Sequence, residues 1–120
     1  MSLKLEMEQM PGYLAANFIG SGAPPDVWRQ FELIAEHCKR TKNNKLLIDA
    51  TRADGKISFI ERFMVGERTQ LFLYYGIKVV FVEKPERIDP GKFAILVAQN
   101  RGVNVDAFTD FQASKEWLMK

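Results

Sequence analysis

Three consecutive apolar residues, Leu46, Leu47 and Ile48, ending on Asp49, constrain this chain more than any other feature. A run without alternation suits a strand buried on both faces, as in a parallel sheet covered by helices. A second such run spans Lys78 to Val82, and Pro85 breaks it. Between them, Ser58 and Glu61 have the spacing of a capping box. Apolar residues then continue at helical density to Tyr75, where Gly76 suits a left-handed C-terminal cap. Strand, helix and strand in this order make a βαβ unit with a right-handed crossover.

The flanking segments extend the pattern. Leu3, Leu5 and Met7 alternate with Lys4, Glu6 and Glu8, the period of a strand with one wet face. Pro11 and Gly12 mark a turn, and Tyr13 to Ile19 returns as its hairpin partner. Pro24 and Pro25 suit the first turn of a helix, with Asp26 near its positive end. Val27, Trp28, Phe31, Ile34, Ala35 and Cys38 form that helix's apolar stripe, and a polar loop ends it at Thr41 to Asn44. Thr51 to Lys56 reads as a loop. Asp89 and Pro90 read as the start of a third helix, which runs through Phe93, Leu96 and Val97 to Gly102. Val103, Val105 and Phe108 read as a last strand, and Thr109 or Asp110 caps a final helix with Ala113, Trp117 and Leu118 inward. The expectation is one α/β domain over residues 1–120. Its order is β-β-α-β-α-β-α-β-α, a mixed, mostly parallel five-stranded sheet with four helices.

Composition narrows the function classes. At 120 residues the chain can bury a core without disulfides or metals. Cys38 is its only cysteine, which suits a reducing compartment. Residues 1–10 lack the apolar stretch of a leader, and no run could span a bilayer, so a cytoplasmic protein without stable membrane insertion is expected. Net charge is +2. The one basic cluster, Lys39, Arg40, Lys42 and Lys45, falls where a helix ends and complements its dipole, so nucleic acid is not an expected partner.

In open α/β sheets, ligands sit beyond the carboxyl ends of parallel strands. Here that edge comprises residues 49–58, 83–89 and 109–110. Asp49 stands where some folds place a phosphoacceptor, but the second carboxylate that would hold a metal is replaced by Thr51 and Arg52. Asp49, Thr51 and Asp54 miss the spacing of a calcium loop, with Ile60 where the bidentate glutamate belongs. His37 is the only histidine, and its neighbour Cys38 points elsewhere on a helix. No catalytic, cofactor or metal residues are therefore assigned. The edge is read as a contact loop for a partner or ligand, comprising Asp49, Thr51, Arg52, Asp54 and Ser58. The helix from Ser58 to Tyr75 carries more apolar residues than one stripe can bury. Phe59, Phe63, Met64, Phe72 and Tyr75 are its candidate binding surface.

With these elements placed, the chain resembles the SpoIIAA-like group, which includes STAS domains and is related to CRAL-TRIO lipid binders. The resemblance rests on Lys45 to Asp49, Gly76 to Val82, Ala98 to Val105, and Phe108 to Asp110 leading to Trp117 and Leu118. In pattern it is similar to bacterial stand-alone members. It implies a non-enzymatic regulatory module that binds a protein partner or itself through the loop 51–58 and the following helix. The alternative it leaves open is a small apolar or lipid-like ligand in a pocket lined by that helix. Members of the group that act as phosphoswitches carry a serine after an aspartate at the start of this helix. Here Gly55 follows Asp54, so Ser58 is the only residue that could carry the phosphate.

Overall fold

Strand order in space follows strand order in the chain: one sheet, β1-β2-β3-β4-β5. In the computed structural model the described residues are 3–54, 59–88 and 92–120, excepting the side chains of Pro24, Phe59 and Ile60. β1 (Lys4–Met10) and β2 (Tyr13–Gly20) form an antiparallel hairpin; β3 (Lys45–Ala53), β4 (Lys78–Val82) and β5 (Val105–Phe108) then add in parallel. Because each crossover steps to the adjacent position in the same direction, right-handedness puts the connecting helices on one face. These are α1 (Pro24–Thr41), α2 (Phe59–Arg68), α3 (Gln70–Tyr74) and α4 (Phe93–Asn100). α5 (Phe111–Met119) follows the last strand and covers the other face over β3 and β4.

Two apolar layers result. On the helix-rich face, Leu14, Ala16 and Phe18 of β2, Leu46 and Ile48 of β3 and Val79 of β4 pack against Phe31, Ile34, Ala35 and Cys38 of α1 and Phe72 of α3. On the other face, Tyr13, Leu47, Val80 and Val82 meet Leu118 of α5. Leu46, Leu47 and Ile48 are thus split between the two layers, which is why their run shows no alternation.

The hairpin, the parallel ladder and the caps at Gly76 and Asp110 lie where the sequence places them, with four differences. β3 does not end at Asp49 but continues to Ala53 beside β2. Its register shifts there, with Asn17 opposite Asp49 but Ile19 opposite Arg52, so Ala50 and Thr51 together face Phe18. This is a bulge, and Asp49 builds it: its Oδ1 accepts from the Thr51 amide at 2.9 Å and the Thr51 hydroxyl at 2.6 Å. The second difference is the long helix, which breaks at Thr69 into α2 and α3. Thr69 is buried, and its hydroxyl donates to the Gly66 carbonyl at 2.6 Å, replacing the helical bond at the break. Third, Phe108 does not follow Val103 and Val105 inward. Ala107 holds the buried position, and Phe108 faces α5 against Trp117. Fourth, α4 starts at Phe93 after Lys92, which adopts a left-handed conformation, φ 48°. The expected cap, Asp89 and Pro90, lies outside the described residues, as does Ser58.

Asp110 caps α5 as expected, accepting from the Ala113 amide at 3.0 Å. Gly76, φ 68°, closes α3 in the expected left-handed turn, with the Ile77 amide reaching back to the Phe72 carbonyl at 2.9 Å.

Candidate functional site

α2 runs along α4 rather than lying down on the strands. The close crossing is made possible by Gly66, where a Cβ would stand 2.6 Å from the Ala94 carbonyl oxygen and 2.7 Å from Val97 Cβ. With α2 drawn toward α4, space is left beneath it, at the carboxyl edge of the sheet. Two cavities occupy this space. The first, about 80 Å³, is lined by Arg62, Val65, Gly66 and Thr69 above, Phe81 and Ala107 of the sheet below, and Glu83, Arg87, Ile88, Lys92, Ala94, Ile95 and Ala98 around. The second, about 150 Å³, lies toward α1 among Phe18, Val27, Trp28, Phe31, Ala50, Ala53, Asp54 and Glu61. They share Val65, Phe81, Glu83 and Arg87.

The shared wall is charged. Arg87 Nε lies 3.1 Å from Glu83 Oε1, and both side chains are nearly buried, 13% and 14% exposed. Burial pushes the Glu83 carboxyl up, while Arg87 and the Lys84 amide pull it down. Lys92 is held by Asp106 at 3.1 Å and donates to the Ala107 carbonyl at 2.7 Å. Arg62 has no such ion pair among the described residues, and its buried Nε has no hydrogen-bond partner among them. Cys38, buried in the layer beneath α1, has its thiol pushed up to about 11 by desolvation, so it stays protonated at neutral pH.

The expected site residues do not form one surface. Asp49 shares its strand face with Leu47, the α5 side, and its carboxylate is engaged in the bulge. Arg52 is exposed and reaches Glu6 of β1 at 3.7 Å. Of that loop's described residues, Asp54 lies on α2's side, lining the second cavity. On the helix, Phe72 is fully buried and belongs to the core, which corrects its assignment to a binding surface. Tyr75 is half-buried, with Lys39 over its ring at 5.8 Å and Tyr74 edge-on at 5.1 Å. Met64 is half-buried and lines neither cavity. Phe63 points outward, 6.3 Å from Phe93 and under the Arg101 guanidinium at 5.4 Å; Arg101 also meets Glu67 at 3.2 Å. Leu73, Tyr74 and Leu96 are exposed on the same helix layer.

Arg62, Gly66 and Phe81 carry no motif that singles them out. Glu83 and Arg87 had a signal, an i,i+4 opposite-charge pair on the strand edge where ligands sit.

No protein-family model and no curated protein matches the chain. Solved structures do. An uncharacterised protein of the DUF3478 family with a SpoIIAA-like fold, from Shewanella loihica, is 21% identical over 98% of this chain and 94% of that one, TM-score 0.58. An anti-sigma factor antagonist from Mycobacterium paratuberculosis is 9% identical over 99% and 96%, TM-score 0.64. The fold is SpoIIAA-like, as the resemblance implied. Among the described residues, no helix is long and apolar enough to cross a membrane.

Proposed function

We propose that this chain is a non-enzymatic regulatory module of STAS type whose partner, another protein or a second copy, docks on α2 and the helices beside it. The observation that carries this is the outward face of that layer, where Phe63, Leu73, Tyr74 and Leu96 stay 36%, 45%, 83% and 49% exposed within three short helices. The fold shared with an anti-sigma factor antagonist supports an interaction role. In the expected contact segment 51–58, Asp54 lines the second cavity beneath α2, while Arg52 reaches Glu6 of β1. A photo-crosslinking residue at position 63, with position 111 of α5 as control, tests the surface in cells. A discrete adduct at 63 that is absent at 111 and lost in Leu96→Asp is the expected result. Equal labelling at both positions, or none at 63 from a protein that sediments as a monomer, ends the proposal.

A second reading, a small ligand held beneath α2, is favoured by the two cavities there.

A further inference from the structure

We infer that the first cavity takes a small organic anion, a short or branched monocarboxylate whose head group meets Arg62. This rests on the second reading above and gives its ligand a chemical class. Size comes first. An apolar cavity of about 150 Å³ accepts a benzene ring. At about 80 Å³ the first cavity holds roughly half of that, on the order of three to four carbons, and not a long acyl chain. Its walls are Val65, Phe81, Ile88, Ala94, Ile95 and Ala98, which suit a compact alkyl group.

Charge decides the head group. Among the described residues, four ionisable side chains line this cavity: Arg62, Arg87, Lys92 and Glu83. Glu83 and Arg87 pair with each other, and Lys92 pairs with Asp106. Among the described residues that leaves one guanidinium, that of Arg62, with a buried Nε–H that lacks an acceptor. One surplus positive charge matches one carboxylate, whereas a phosphate would need more donors. Water is a poor substitute, because the Thr69 hydroxyl is turned to the Gly66 carbonyl and Glu83 to Arg87, so few further partners remain for it. The second cavity carries Asp54 and Glu61, which repel an anion, so the head group belongs on the Arg62 side.

The test is NMR titration of the whole chain with isovalerate and with its neutral isostere isovaleramide. The acid is expected to bind at least about tenfold more tightly than the amide, as charge-assisted hydrogen bonding allows. The Arg62 Nε–H resonance, and amides of Val65, Ala94 and Ala107, should shift with the acid. In Arg62→Met the acid should lose its advantage while the amide binds as before. Arg62→Lys, which keeps a charge if the methionine variant does not fold, should narrow the advantage because the Nε–H is gone. Equal affinity for acid and amide overturns the carboxylate assignment while leaving a ligand beneath α2. Failure of both to bind overturns the assignment and the second reading together. Preference for octanoate over isovalerate overturns the size argument.

Discussion

α1 and α2 lie on the same face of the same sheet, yet they are anchored in different ways. α1 presses Phe31, Ile34, Ala35 and Cys38 into the strands until none is more than 2% exposed. Its start is also fixed, with Pro24 and Pro25 in the first turn and the Ala23 amide donating to Asp26 at 3.3 Å. α2 takes its main support sideways from α4 through a glycine and stands over two cavities. The contrast separates a helix that belongs to the core from one that can be displaced at little cost to it. Low-stability elements of this kind are where binding surfaces are drawn from.

Three measurements bear on that contrast, in falling order of effect. Ile34→Ala opens a hole under α1 with no room to collapse, so it should lower global stability by about 2–5 kcal/mol. Denaturant unfolding reads this directly, and a loss under 1 kcal/mol would mean that α1 is not the anchor. Gly66→Ala pits a helix-propensity gain of about 1 kcal/mol against overpacking of about 1–3 kcal/mol. Overpacking wins, because the obstructing atom is the Ala94 carbonyl oxygen, a backbone group that cannot rotate away. Hydrogen exchange should then quicken in α2 and α4 but not in α1; equal quickening in all three would erase the distinction. The smallest effect is on pH dependence. Burial raises the Glu83 carboxyl above its ordinary value of 4.5, so the folded state holds this proton more tightly than the unfolded chain. The contribution therefore favours folding at low pH and is lost as pH rises from the ordinary value through the raised one. Thermal melts across that window should show a shallower decline in Glu83→Gln than in the unaltered protein, and an unchanged slope would mean that Glu83 is not desolvated beneath α2.

The legible part of the fold was the part set by local periodicity and caps. Leu46 to Ile48, the Lys78 to Val82 run, Gly76 and Asp110 each act through their own neighbours, so their roles follow from spacing. The illegible part depended on partners distant in sequence. The β3 extension needs Ile19 and Gly20 alongside Arg52 and Ala53. Thr69 looks like any helical residue until its hydroxyl turns inward. The left-handed Lys42, φ 58°, closes α1 where the loop to β3 demands it, although a glycine would adopt that conformation with less strain. The candidate site shows the same division. Expectation placed the contact loop and the helix on one surface, but the bulge at Asp49 sends Arg52 to β1, and the break at Thr69 sends Phe72 into the core. Gly66, which sets the position of α2, acts only through a helix some thirty residues downstream, roughly the length of a βαβ unit.

A sheet whose spatial order repeats its chain order can also be assembled like a row of planks laid from one side. The hairpin of β1 and β2 forms from contiguous residues, and each later strand joins the newest edge instead of wedging between two already paired. Every docking step then closes only one helical crossover and its loops, which keeps contacts local and favours rapid folding, including stepwise growth during synthesis. The edge left behind at β1 alternates Lys4, Glu6 and Glu8 along one side, charges that discourage another chain's strand from continuing the row.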